Sequence, residues 1–336
     1  MKKYHVYGIG NALVDKEFEV ADDFFVHENI QKGLMTLVDG ESQNVLLDRL
    51  SQRFGLKKMA GGGSAANTVY AISQFGGNTF YSCKVAGDEY GDFYVNELGT
   101  LNIHTNLGKN REYGVTGKCV VMVSPDTERT MLTYLGISET LSVADLDHEA
   151  IKDSQYLYLE GYLVTSPTGR QACVAARKVA EANGVKTVLT LSDPAMVQFF
   201  RGGLEEMIGD GVDILFANEL EANAWSGKDT IEQSITILAT IAKIVVVTLG
   251  SKGALIYDGA KQIRIDPTPV KAIDSNGAGD MFAGAFLYAL SSGKDLEFAG
   301  QLASIAAATT VANFGPRLAP AVHKEILSSA QKKHGA

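Results

Sequence analysis

Residues 244–248, Ile-Val-Val-Val-Thr, are the purest β-branched run in the chain, and they follow a helical pattern at 231–241. Other short apolar runs, at 4–8, 80–85, 156–163, 187–191 and 214–217, alternate with helical patterns at 64–75, 88–98 and 167–183. A strand that is apolar on both sides must be covered on both faces, and a parallel sheet between helices does this. The alternation therefore predicts an α/β fold, a three-layer α/β/α sandwich around a mostly parallel central sheet. The helix boundaries agree: 64–75 stops at Gly76-Gly77, and 167–183 opens on Pro167 and ends at Gly184.

One stretch breaks the alternation. Residues 118–123 and 130–135 read as two strands joined by Ser124-Pro125-Asp126-Thr127-Glu128, with no helix between them, which predicts a β-hairpin. The apolar run 33–38 extends the same small sheet. These pieces predict a β lid formed by insertions at about 12–40 and 108–138 in one domain spanning 1–336, with no linker, repeat or low-complexity tract.

Charge and cysteine usage narrow the function. Lys and Arg number 30 against 39 Asp and Glu, a net charge of −9, which is not the footprint of a nucleic-acid binder. Any anionic ligand must then be held by local groups. Cys83, Cys119 and Cys173 are far apart with no CxxC, as expected of reduced thiols in a cytoplasmic protein. The six histidines show no HxxxH or HExxH spacing, which argues against a histidine metal site, and no G-x-S-x-G elbow appears. The opening residues do not read as a signal peptide, and no apolar run approaches membrane-spanning length, so no membrane partner is expected.

Glycine is the informative surplus, 35 of 336 residues or about one in ten, where about 7% is usual. The strongest segment is Asp274-Ser275-Asn276-Gly277-Ala278-Gly279-Asp280, opening an apolar helix. A Gly-Ala-Gly turn there points backbone N–H groups and the positive end of the helix dipole at one spot, a ready phosphate site. Asp280 in the first turn can accept the proton of an attacking hydroxyl, or can simply complement the dipole. A second cluster, Ala60-Gly61-Gly62-Gly63-Ser64-Ala65-Ala66-Asn67, also precedes a helix; it is either a close approach to a ligand with Asn67 binding hydroxyls, or a flexible loop. Thr248-Leu249-Gly250-Ser251-Lys252-Gly253 leaves the end of the most buried strand, where ligands bind in open α/β sheets, or is an ordinary turn. Asn218 and Glu221, three apart at a helix start, can hold a metal's waters or form a capping pair. Asp15 follows the first strand, in a loop, and can take two sugar hydroxyls or be merely solvated. No Gly-Lys-Ser/Thr phosphate loop occurs, and Gly8-Ile9-Gly10 is followed by Leu13, not glycine, so the dinucleotide fingerprint fails.

Taken together, Gly61-Gly62-Gly63-Ser64-Ala65-Ala66-Asn67, Asn218-x-x-Glu221 and Asp274-Ser275-Asn276-Gly277-Ala278-Gly279-Asp280 resemble, in order and spacing, the PfkB (ribokinase-like) carbohydrate and nucleoside kinase family. The resemblance covers about residues 4–320. It implies a ribokinase-like fold with the hairpin as its β lid, ATP as co-substrate, Mg²⁺, and in many relatives a monovalent cation such as K⁺. It implies Asp280 as general base, and the backbone of Gly277, Ala278 and Gly279 as anion hole for the transferred phosphoryl group. It implies Asn218 and Glu221 around Mg²⁺ through water, and Thr248, Gly250 and Gly253 along the nucleotide. Asp15, Gly62, Gly63 and Asn67 fall on the acceptor's hydroxyls, and Arg129 near the lid tip on the phosphates. The segment Gly10-Asn11-Ala12-Leu13-Val14-Asp15 and the residue Asn276 resemble the adenosine-kinase branch, implying adenosine conversion to AMP; the alternative is a free sugar such as fructose or ribose. Ser275 stands where that family usually has Thr. A binding protein that kept the fold and lost turnover is the reading of another class, and the intact Asp280, 277–279 turn and Glu221 argue against it. The lid allows either a monomer or a homodimer joined lid to lid.

Overall fold

The computed structural model describes residues 2–108 and 110–334; Lys109, inside the second expected lid insertion, and both chain ends lie outside the described residues. Fourteen strands occur among the described residues. They are β1 (Tyr4–Ile9), β2 (Leu13–Glu19), β3 (Met35–Leu37), β4 (Lys58–Gly62), β5 (Thr79–Ser82), β6 (Ile103–Thr105), β7 (Thr116–Val123), β8 (Arg129–Gly136), β9 (Ser154–Glu160), β10 (Lys186–Thr190), β11 (Val212–Asn218), β12 (Ala242–Thr248), β13 (Ala254–Tyr257) and β14 (Gln262–Ile265). Nine form a sheet in the order β14-β13-β12-β11-β10-β9-β1-β5-β6, parallel except where β13 pairs with β12 and β14.

The β-branched run lies on β12, the third strand from the β14 edge of this sheet, and serves both faces. Val245 and Val247 pack into one cluster with Leu204 and Leu238, from the helices Pro194–Ile208 and Ile231–Leu238. Val246 packs into the other with Phe282 and Phe286 of the helix Ala278–Ser291. Alternate side chains of a strand point to opposite faces, so a run without polar residues needs both layers. The three-layer sandwich expected from the alternation is what forms.

Some boundaries differ from the sequence pattern for a physical reason. The apolar stretch 156–163 is strand only to Glu160; Gly161–Thr165 is a 3₁₀ helix whose Leu163 and Val164 are still buried. Apolarity there reports burial rather than strand.

The remaining five strands form a small sheet in the order β3-β8-β7-β2-β4. β7 and β8 are the expected hairpin, and β3 joins β8 in parallel. Two of its strands were not read from the sequence, although β2 lies within the lid insertion expected at about 12–40. β4 comes from the glycine cluster, and β2 carries Asp15, which therefore lies on a strand opposite Ala60 and Cys119, not in a loop. The outer face of this sheet is covered by the chain itself: Phe24, Phe25, Leu46, Leu47 and Leu50, from the helices Asp22–His27 and Gly40–Arg53, pack on Phe18, Val20, Val120 and Met122. Among the described residues no helix is long and apolar enough to cross a membrane.

The C-terminal helix Pro320–His334 carries a buried His323 against the rings of Tyr70 and Phe75, with Nε2 unpartnered. Burial lowers its pKa, so the native state resists a proton that the unfolded chain accepts. Stability contributed by the neutral ring is therefore complete above about pH 6.5 and falls as pH drops below that unfolded value. We predict that urea denaturation at pH 7.5 and 5.5 shows a smaller acid loss for His323→Leu than for the wild type; an equal loss contradicts the assignment.

Candidate active site

The carboxyl ends of the parallel strands and the inner face of the small sheet enclose a cleft of about 630 Å³, counting its open mouth. Asp15, Gly63, Asn67, Arg129 and Asp280, all singled out from the sequence, line it. The other wall is apolar: Leu13, Met35, Leu37, Met131 and Leu135, with the thiol of Cys119.

Asp280 is the third residue of the helix Ala278–Ser291. The turn before it depends on Gly277, whose φ of 72° lies in the left-handed region and whose missing Cβ would stand 2.4 Å from the Pro316 Cβ. The amides of Gly277, Gly279 and Asp280 have no acceptor among the described residues. Ala278, expected among these amides, differs: its N–H makes a long 3.3 Å turn bond to the Ser275 carbonyl. Ser275 Oγ in turn donates to the Thr127 carbonyl at 3.1 Å, tying the hairpin tip to the helix start.

Ser64 Oγ donates to Asp280 Oδ1 at 2.7 Å, and Asn67 Nδ2 donates to Oδ2 at 3.0 Å. Burial raises the Asp280 carboxyl above its usual range, while those hydrogen bonds and the guanidinium groups of Arg129 and Arg317 oppose the rise. Arg129 opens β8 and faces the cleft; among the described residues it makes no ion pair, and the one hydrogen bond of its side chain goes to Met131 Sδ at 3.6 Å.

The glycine cluster has three separate steric reasons. A Cβ on Gly61 would come within 2.8 Å of Glu97 Oε2, and one on Gly62 within 2.0 Å of Asp15 Oδ1. A Cβ on Gly63, whose φ is 97°, would stand 2.0 Å from the Asn11 carbonyl oxygen. So Gly62 supports the Asp15 carboxylate, which burial first and Glu17 second push well above the usual carboxylate range, against Arg317.

Asn218, Glu221, Thr248, Gly250 and Gly253 do not line this cleft. They gather beside it at the ends of β11 and β12, where Asn218 pairs in register with Thr248. Asn218 and Glu221 form a capping box: Asn218 Oδ1 accepts from the Glu221 amide at 2.8 Å, and Glu221 accepts from the Asn218 amide at 3.0 Å and from its Nδ2 at 2.6 Å. Buried Glu221 is raised to about 7, mainly by burial. Gly253 is glycine because a Cβ would stand 2.0 Å from the Ile265 carbonyl, so its shape serves β14. Among the described residues no three His, Cys, Asp or Glu side chains converge as a metal centre.

Several site residues carried no assignment from sequence. Ser64 sat in the glycine cluster without a role. Glu160, at the end of β9, accepts from the Asn11 amide and side chain and from the Ala65 amide, and burial raises it to about 7. Ser192, with φ 70° and an unpartnered Oγ, and Tyr162 also line the cleft. Arg317 is distant in sequence and had no local pattern to mark it.

A sequence model described as pfkB family carbohydrate kinase matches residues 40–322. An adenosine kinase of Saccharomyces cerevisiae is 26% identical over 329 residues, covering 92% of this chain and 95% of that one. Among solved structures, a probable sugar kinase protein from Rhizobium etli CFN 42 is 31% identical with a TM-score of 0.92, covering 99% of both chains. An adenosine kinase from Sinorhizobium meliloti is 32% identical with a TM-score of 0.91, covering 98% of this chain and 99% of that one.

The packing under Asp15 leaves no room for a methyl group. We predict that Gly62→Ala costs about 1–3 kcal/mol of stability, the usual range for overpacking, measured by chemical denaturation. An unchanged denaturation midpoint contradicts that packing.

Proposed function

The chain belongs to the pfkB family of carbohydrate kinases, and from that premise we propose that it transfers the γ-phosphoryl group of ATP to a nucleoside hydroxyl, converting adenosine to AMP. The observation that carries the nucleoside reading is the division of the cleft. Asp15 and Asn67 offer polar groups to a sugar, while Leu13, Met35, Leu37, Met131 and Leu135 form an apolar wall on the lid side. A nucleobase covers that wall; a free pentose or hexose leaves it bare, forfeiting about 25 cal/mol per Å² of apolar surface. The adenosine kinases among its relatives point the same way.

In this reading Asp15 and Asn67 hold the acceptor's ring hydroxyls over Gly62 and Gly63, and the reacting hydroxyl meets Asp280. The hydroxyl proton passes to a carboxylate oxygen of Asp280 as the oxygen bonds to the γ-phosphorus and the bond to the β-bridging oxygen breaks, releasing ADP. The free amides of Gly277 and Gly279, with that of Asp280, receive the equatorial oxygens; Ala278 contributes less, because its N–H is partly engaged. Arg129, a cation with no carboxylate partner among the described residues, adds charge from the lid. Phosphoryl transfer asks mainly for such positioning and charge stabilisation.

Thr248, Gly250 and Gly253 border the nucleotide. The capping pair Asn218–Glu221 fits Mg²⁺ held through water, since Mg²⁺ keeps most of its waters and takes few protein ligands beside phosphates. When bound, the ion neutralises phosphate charge. K⁺ activation belongs to the same reading. The covered outer face of the small sheet favours a monomer over a lid-to-lid dimer, and the three buried, free cysteines suit the cytoplasm.

An ATP-consumption assay with Mg²⁺ against nucleosides, hexoses and pentoses tests this. We predict turnover of adenosine far above every sugar. Fructose or ribose as the best acceptor would overturn the nucleoside assignment.

A further inference from the structure

We propose that Arg317 is a positioning residue for phosphoryl transfer, acting through Asn67 to hold the Asp280 carboxylate as a proton acceptor. This inference rests on the reading of Asp280 as the base.

Arg317 Nε donates to Asn67 Oδ1 at 3.0 Å, and Asn67 Nδ2 donates to Asp280 Oδ2 at 3.0 Å. The direction of this relay is forced by chemistry. A carboxamide has one accepting end and one donating end of nearly equal size, so shape alone does not choose its orientation. Guanidinium has only donors, so the amide oxygen must face Arg317 and the NH₂ must face Asp280. An NH₂ group aimed at a carboxyl oxygen needs a lone pair there, which favours the ionised form of Asp280.

Arg317 is itself held on three sides. Nη1 pairs with Glu97 Oε1 at 2.7 Å, and Glu97 Oε2 accepts from the Gly61 amide at 2.6 Å. The guanidinium carbon lies 4.9 Å from the Tyr70 ring centroid, whose hydroxyl donates to the Leu318 carbonyl. Nη2 is buried without a partner, so the Nε and Nη1 bonds and the ring fix the group. Gly61 permits this approach, since a Cβ there would stand 3.0 Å from Nη1. The relay therefore ties the C-terminal segment and β4 to the reacting carboxylate. Arg317 does not line the cleft, so it acts without touching substrate.

Besides Ser64, the titratable groups that bear on Asp280 are Arg129 on the lid, Asp15 on β2, Tyr158 and Glu160 on β9, Tyr162 after it, and Glu221 near the nucleotide turns. Substitution of Arg317 keeps all of these side chains and, besides its effect on Asp280, removes among them only the guanidinium's opposition to the rise at Asp15; the Asn67→Ala background separates the two effects.

The test compares Arg317→Met, Arg317→Lys and the double variant Arg317→Met/Glu97→Gln, which removes the stranded carboxylate if the single variant folds poorly. We expect Arg317→Met or the double variant to lower kcat about tenfold or more, the effect of losing one charge-linked hydrogen bond, with KM for both substrates little changed. The acidic limb of the kcat/KM profile should move to higher pH, and Arg317→Lys, which restores a donor, should move it back. In an Asn67→Ala background the Arg317 change should add almost nothing. An unmoved acidic limb in both the single and double variants, or effects that multiply with Asn67→Ala, overturns the relay. A wild-type profile with no acidic limb instead counts against Asp280 as the base, so the two failures are distinguishable.

Discussion

A buried carboxylate and a run of unpartnered backbone amides share one helix start in this protein, and the rest of the site follows from keeping them together. Asp280 sits three residues into the helix whose first amides point toward the same space. Burial works against its charge, and a neighbouring phosphate would add to the penalty. The chain answers with hydrogen bonds from Ser64 and Asn67, with the helix dipole, and with Arg129 and Arg317 at longer range. Each answer comes from a different part of the chain, so the site exists only when the two sheets and the C-terminal segment are assembled.

On the proposed reading, that arrangement lets a chain of net charge −9 receive a polyanion. Positive potential is supplied locally, by backbone amides and two arginines, while the acidic surface remains. Glycine is what allows it. Gly277 makes the turn that exposes the amides, and Gly61, Gly62 and Gly63 let Glu97, Asp15 and the Asn11 carbonyl approach the strand closely. Most of the glycine surplus that matters is thus steric room for polar groups rather than looseness.

How much of this was legible in the sequence follows the physics of each element. The parallel strands could be read because burial on both faces leaves unbroken runs such as 244–248. The helix starts could be read from Pro167 and from the glycine-rich turn before Asp280. β2 was not legible, because Leu13-Val14-Asp15-Lys16-Glu17-Phe18-Glu19 mixes charges into both faces, and Glu17 is buried all the same. The Asn218–Glu221 spacing was consistent with a metal or a cap; the cap is what forms, and any metal role is added to it. Arg317 was invisible, since its partner Asn67 lies 250 positions away and no local pattern marks a guanidinium that orients an amide.

In the proposed reaction Asp280 takes the acceptor's proton while other groups hold the phosphates. Single-turnover phosphoryl transfer by Asp280→Asn, with ATP affinity measured calorimetrically on the same protein, tests it most directly. ATP should bind within a few-fold of wild type while the chemical step slows by about 10²–10⁴, the scale of general base catalysis. Transfer at close to the wild-type rate would contradict it.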